Sequence, residues 1–156
     1  MTTSLIHQIK TFLEETDNDF TPPGSARTDL AVYAEKMARN AAVFASYDAG
    51  KMVAMTAIYC NDPSCRIAYM TLAAALPEYR RLRLVSGLIQ TAIEYLQRRR
   101  FKILQLRIDH GNDRAFRLYR SLGFWVVQEE PQGYLMELTI AAQPPVSDQA
   151  HYARHC

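Results

Sequence analysis

The sequence predicts a mixed α/β fold, a mostly antiparallel sheet flanked by helices. Three observations predict it. Apolar residues recur at helical spacing in four segments, with strand-like apolar runs between them. Turn-forming residues mark the boundaries, as in Asp48-Ala49-Gly50-Lys51 and Asn61-Asp62-Pro63-Ser64. The resulting order is helix, helix, three strands, helix, strand, helix, two strands, in a chain of 156 residues that suits one core.

Residues 6–15 place Ile6, Ile9, Phe12 and Leu13 at helical spacing. Thr16-Asp17-Asn18-Asp19 and Thr21-Pro22-Pro23-Gly24-Ser25 end that helix, because proline cannot continue it and Asx and glycine residues favour turns. A second helix over 28–40 aligns Leu30, Tyr33, Ala34 and Met37. Strands over 42–47 and 52–60 flank the Asp48–Lys51 turn as a hairpin, and a third strand covers 66–76. Over 84–99 two apolar rows return, Leu84, Leu88, Ala92 and Leu96 beside Val85, Ile89 and Ile93. A strand over 102–109 and a short helix over 113–122 follow. Residues 124–128 and 134–140 make a closing strand pair across Pro131-Gln132-Gly133. Beyond residue 140 the composition shifts to Gln, Pro and Ser, so one domain over 1–140 with a weakly ordered tail over 141–156 is expected.

Nearly half the residues are apolar (49%) and 22% are charged, a composition of soluble globular proteins. No apolar run approaches the roughly 18 residues of a membrane span. The opening Met1-Thr2-Thr3-Ser4-Leu5 has neither the basic head nor the long apolar stretch of a signal peptide, so a cytoplasmic protein is expected. An odd count of cysteines, Cys60, Cys65 and Cys156, is no disulfide framework, although Cys60 and Cys65 flank a turn across which they could meet. Without neighbouring ligand pairs, no metal site is expected. The net charge of +2 is unevenly spread: residues 79–124 hold 11 of the 18 basic residues and only Glu94, Asp109 and Asp113 as acids. Most of these arginines read as solvated helix faces, and the asymmetry also suits a polyanionic partner.

The most specific stretch is Asn112 to Phe124, with the pattern Asn-x-x-Ala-x-x-Leu-Tyr-x-x-x-Gly-Phe after a strand. It resembles the second acetyl-CoA motif of the Gcn5-related N-acetyltransferases, the GNAT family. A second stretch, Leu76-Pro77-Glu78-Tyr79-Arg80, stands where that family ends its central strand and enters its pyrophosphate loop. The resemblance spans about residues 28–140 and implies that family's fold, with its usual first strand replaced here by an N-terminal helix. It also implies an acetyl-CoA-dependent N-acetyltransferase that passes the acetyl group directly to a primary amine of a small molecule, peptide or protein.

Such a transfer needs the donor gripped by its phosphates, the thioester held, the amine unprotonated and the leaving thiolate protonated. The grip is expected from Arg80, Arg81, Leu82, Arg83, Leu84, Val85, Ser86 and Gly87, where backbone N–H groups at a helix start can form an anion-binding concavity. The family's loop reads approximately Arg/Gln-x-x-Gly-x-Gly/Ala. Here Arg80 matches its first residue, Arg83 and Val85 occupy its two small positions, and Arg81 replaces a third common glycine. Val85 is expected to crowd the pyrophosphate, while Arg81 and Arg83 add charge. If crowding dominates, Arg83→Gly with Val85→Gly should improve affinity.

In the family the thioester arm pairs with the central strand, which implies Leu72, Ala73, Ala74, Ala75 and Leu76, the alanines leaving room for it. The bland alternative is small residues packed under a helix. The resemblance gives Tyr119 the role of acid: a phenol near pKa 10 protonates a thiolate of pKa about 8.5. A helical tyrosine is otherwise an ordinary core residue. Asn112 can both cap its helix and bond the pantetheine arm. Gly123 and Phe124 read as helix stop and core anchor. For the acceptor, Asp17, Asp19 and Phe20 in the acidic connection after the first helix, and Tyr69 on the central strand, are the candidates. No base is assigned; His110 has a suitable ordinary pKa but also reads as a surface residue.

Two other readings compete. One is a non-catalytic module of the same fold whose loop has lost its cofactor. The other, nucleic-acid binding through the basic stretch, is disfavoured because no groove-reading motif accompanies it. A monomer or homodimer is expected.

Overall fold

A computed structural model describes residues 2–17 and 29–140. Helix α1 (Thr2–Thr16) and helix α2 (Leu30–Asn40) open the chain. Asp29 starts α2: its carboxylate accepts from the N–H groups of Ala31 at 2.8 Å and Val32 at 3.2 Å. Strands β1 (Ala42–Asp48), β2 (Lys51–Tyr59) and β3 (Ile67–Ala75) follow, then helix α3 (Leu84–Arg98), strand β4 (Ile103–Asp109), helix α4 (Asp113–Ser121), β5 (Trp125–Glu130) and β6 (Gly133–Thr139). The expected order holds, with boundaries shifted by a few residues at most. The unanticipated element is a 3-10 turn, Pro77–Tyr79, between β3 and α3.

The strands form a six-stranded sheet in the order β1-β2-β3-β4-β6-β5. β1 with β2, β4 with β6 and β5 with β6 are antiparallel, and β3 with β4 is parallel. The register between β3 and β4 covers Ile67↔Ile103, Ala68↔Leu104 and Tyr69↔Gln105. The β1–β2 turn uses Ala49 at φ 51° and Gly50 at φ 80°, the positive-φ pair of a type I′ hairpin.

The described residues group into two compact units. The first comprises residues up to 59 together with 72–89. Its core packs Ile9, Phe12 and Leu13 of α1 and Ala34 and Met37 of α2 against Val53, Met55 and Ala57 of β2 and Leu72 of β3. Met52 to Ile58 are buried without alternation, the pattern of a strand covered on both faces. The second unit comprises 60–71 and the residues from 90 onward. Here Leu104, Leu106 and Ile108 alternate with more exposed neighbours along β4, as expected for a strand with one buried face. No helix among the described residues is long and apolar enough to cross a membrane. Cys60 does not bridge to Cys65. The proposed tail over 141–156 lies outside the described residues.

Candidate functional site

In the first unit, the segment after β3 is built from short-range constraints. The Leu76 N–H donates to the Val53 carbonyl at 2.9 Å, which closes the strand. Pro77 starts the 3-10 turn, where its missing donor costs nothing. The Tyr79 hydroxyl donates to the Asp48 carboxylate at 2.5 Å, and Arg80 Nε donates to the Ala75 carbonyl at 3.1 Å. Arg81 and Arg83 then take φ of 68° and 61°, the left-handed region that favours glycine. The Arg83 carbonyl accepts from the Gly87 N–H at 3.1 Å and the Ser86 hydroxyl at 3.2 Å, so Arg83 stands at the helix cap.

A guanidinium has no acceptor atom and cannot cap a helix. The first N–H groups of α3 therefore gain nothing from the Arg83 side chain, and the positive end of the helix dipole stays available to an anion. Residues in left-handed conformation beside others in the ordinary region aim successive N–H groups into one concavity. Arg81, Leu82, Arg83 and Gly87 are exposed, and Leu84, Val85 and Ser86 half-buried. Val85 lies inside α3 with ordinary φ, so it is not where glycine is needed. The conformational demand falls on Arg81 and Arg83. On β3, Ala73 and Ala74 are half-buried and Leu72 and Ala75 are buried, as is Leu76 just beyond the strand. The Leu72 carbonyl accepts from the buried Thr56 hydroxyl at 2.9 Å.

In the second unit, α4 carries the other pair. Asn112 caps the helix, its side-chain oxygen accepting from the Ala115 N–H at a long 3.4 Å. Tyr119 is 9% exposed and meets Phe124 edge to face, with ring centroids 5.7 Å apart. Burial pushes its phenol up to about 12. The raised pKa keeps the phenol protonated, and so a donor, throughout the ordinary pH range. The helix ends in a complete Schellman motif: the Phe124 N–H bonds the Tyr119 carbonyl and the Gly123 N–H the Arg120 carbonyl, both at 3.0 Å. Gly123 supplies the required positive φ, 103°.

Tyr69 belongs to a polar group that sequence reasoning missed. Arg107 Nε donates to the Glu130 carboxylate at 3.0 Å and lies 5.8 Å from the Tyr69 ring. Hydrogen bonds to Glu130 first and Tyr69 second hold the guanidinium pKa above its usual value. Beside them, Gln105 donates to Glu137 at 2.6 Å. The strand register creates these pairs between residues 23 and 32 positions apart, so only the register could have revealed them. His110 stacks edge-on with Tyr134, its Nε2 3.1 Å from the Glu130 carbonyl. Asp17 is half-buried just beyond α1, whereas Asp19 and Phe20 lie outside the described residues. No cluster of three metal-ligating side chains occurs among the described residues.

The sequence model of the Acetyltransferase (GNAT) family matches residues 9–124. The chain belongs to the GNAT family. Among solved structures, it is similar to the ribosomal-protein-S18-alanine N-acetyltransferase from Escherichia coli at 24% identity, covering 75% of this chain and 80% of that one with a TM-score of 0.63. An aminoglycoside 6'-acetyltransferase type Ii is 16% identical, covering 91% and 94% with a TM-score of 0.74. An aminoglycoside 6'-N-acetyltransferase complexed with coenzyme A is 15% identical, covering 90% and 93% with a TM-score of 0.72. At identities below 25% these structural likenesses show the fold alone. No curated protein sequence matches the chain. The GNAT reading of the sequence is therefore correct in family and in fold, including the helix α1 with which this chain opens.

Proposed function

We propose that this GNAT protein is an acetyl-CoA-dependent N-acetyltransferase acting on a primary amine of a small molecule, peptide or protein. The observation that carries the reading is the pair of left-handed arginines before α3. Holding two L-residues in this conformation costs roughly 1–2 kcal/mol each, a cost that anion binding by the loop would offset. Such a conformation turns backbone N–H groups toward an anion, and the arginine side chains add positive charge at the same place, which supports a diphosphate ligand. This weighs against the alternative of a module that has lost its cofactor. Similarity to a solved relative complexed with coenzyme A supports the choice of donor.

Acetyl-CoA supplies the activated acyl carbon as a thioester. Arg80 to Gly87 bind and orient the diphosphate, and the small side chains of Ala73 and Ala74 admit the pantetheine arm beside β3. Asn112 offers that arm an amide while capping α4. Tyr119 holds a proton on Oη and would give it to the sulfur as the carbon–sulfur bond breaks and the carbon–nitrogen bond forms; the proton the nitrogen sheds passes to solvent, from which the Tyr119 phenolate is reprotonated. A phenol at about 12 is a weaker acid than the thiol it generates, so it acts only as the thiolate develops, and it never arrives at the reaction already ionised. The amine must be neutral to attack; Tyr69, and the acidic Asp17, Asp19 and Phe20 segment, are the proposed acceptor contacts.

Tyr119→Phe is the direct test. General-acid assistance amounts to roughly 100-fold or more in turnover, so kcat should fall about that much while acetyl-CoA affinity stays within twofold. Wild-type turnover in the mutant would remove Tyr119 from the chemistry.

A further inference from the structure

The two left-handed arginines need an external constraint, because the chain alone would relax them to ordinary φ. The contacts around the loop differ in reach. Arg80 Nε to the Ala75 carbonyl is a local bond across five residues, and Leu76 to Val53 fixes the strand end. The bond from the Tyr79 hydroxyl, two residues before Arg81, reaches 31 residues along the chain to Asp48 at the end of β1, where the hairpin turn begins. That turn is itself fastened. Asp48 is paired with Lys51 across the hairpin, and Lys51 Nζ meets the Glu15 carboxylate of α1 at 2.8 Å. Helix α1, the hairpin turn and the loop entrance thus form one connected chain of contacts within the first unit. The hydrogen bond to Asp48 also raises the Tyr79 pKa, so the donor keeps its proton well into the basic range.

We propose that Tyr79, held by Asp48, is a positioning residue that clamps the entrance of the cofactor loop and keeps Arg81 and Arg83 left-handed. It touches no reacting atom. Its consequence for cofactor affinity rests on the acetyl-CoA reading above. Loss of the clamp lets the loop sample ordinary φ, and the anion-binding conformation must then be re-formed on binding. Affinity falls, and the chemical step stays as it was.

The experiment compares the wild-type chain with Tyr79→Phe, Asp48→Ala and Asp48→Asn. Amide hydrogen exchange over residues 80–86 is read without ligand, and acetyl-CoA affinity and kcat at saturating acetyl-CoA are read alongside. Tyr79→Phe and Asp48→Ala should speed exchange in the loop and weaken acetyl-CoA by about fivefold, the scale of one exposed hydrogen bond. Their kcat should remain within twofold. Asp48→Asn keeps an accepting oxygen and should behave like wild type, and the double variant Tyr79→Phe/Asp48→Ala should be no worse than either single one. Unchanged loop exchange in Tyr79→Phe would overturn the clamp, as would a loss of kcat without loss of affinity. A wild-type chain that fails to bind acetyl-CoA would overturn the cofactor reading instead, and the ligand-free exchange would still decide the clamp.

Discussion

At Arg81 and Arg83 the backbone takes a conformation for which glycine is the low-cost residue, and arginine stands there instead. The exchange trades conformational ease for two positive charges at a helix start. For a diphosphate the exchange is chemically sensible, since backbone N–H groups and guanidinium groups favour the same ligand. Tyr119 shows another use of environment, a phenol that burial keeps protonated. Its raised pKa carries a stability consequence with a definite sign. The unfolded phenol ionises near 10 and the folded one near 12, so the stabilisation is fully present below pH 10 and is lost as pH rises through about 12. The difference is at most about 2–3 kcal/mol. Thermal unfolding between pH 9 and 11.5 should therefore fall more steeply for wild type than for Tyr119→Phe. Parallel curves would mean that the phenol is better solvated than its burial indicates.

At the scale of elements, close approach decides which residues are replaceable. A Cβ on Gly133 would lie 1.8 Å from the Ile108 carbonyl oxygen, where β6 begins opposite the end of β4. Backbone on both sides leaves nothing flexible to yield. Gly133→Ala should cost at least about 2 kcal/mol, read as a lower denaturant midpoint, and a shift within 0.5 kcal/mol would show that the turn can move. Elements of this kind were legible in the sequence because periodicity and turn chemistry are local. Leu104, Leu106 and Ile108 announce a strand, and Asn112 with Gly123 bracket a helix whose caps are realised by those two residues. The Tyr79–Asp48 and Gln105–Glu137 bonds were not legible, since each joins residues more than 30 positions apart and depends on strand register or on a turn's direction. The left-handed φ of Arg81 and Arg83 was not legible for a related reason: the motif pointed to this loop, but backbone conformation is not written in side-chain size.

For the whole molecule, the expected fold emerged intact because hydrophobic patterning and family motif point to the same order of elements. The uneven charge also gains a partial account. Arg107 is neutralised by Glu130, Arg99 bonds Tyr95, and Arg81 and Arg83 stand exposed at the loop. Of the 11 basic residues only Arg80, Arg81 and Arg83 belong to the proposed anion site, so the basic character of residues 79–124 is mostly a matter of helix surfaces and local pairing. The central claim is that a loop with arginines in place of glycines still grips acetyl-CoA. Calorimetric titration of the purified chain with acetyl-CoA, with dephospho-CoA as comparison, tests it most directly. The account predicts micromolar, enthalpically resolved binding of acetyl-CoA that weakens with salt. Absence of binding at millimolar acetyl-CoA would contradict it and leave a GNAT fold that has kept its loop geometry for some other anion.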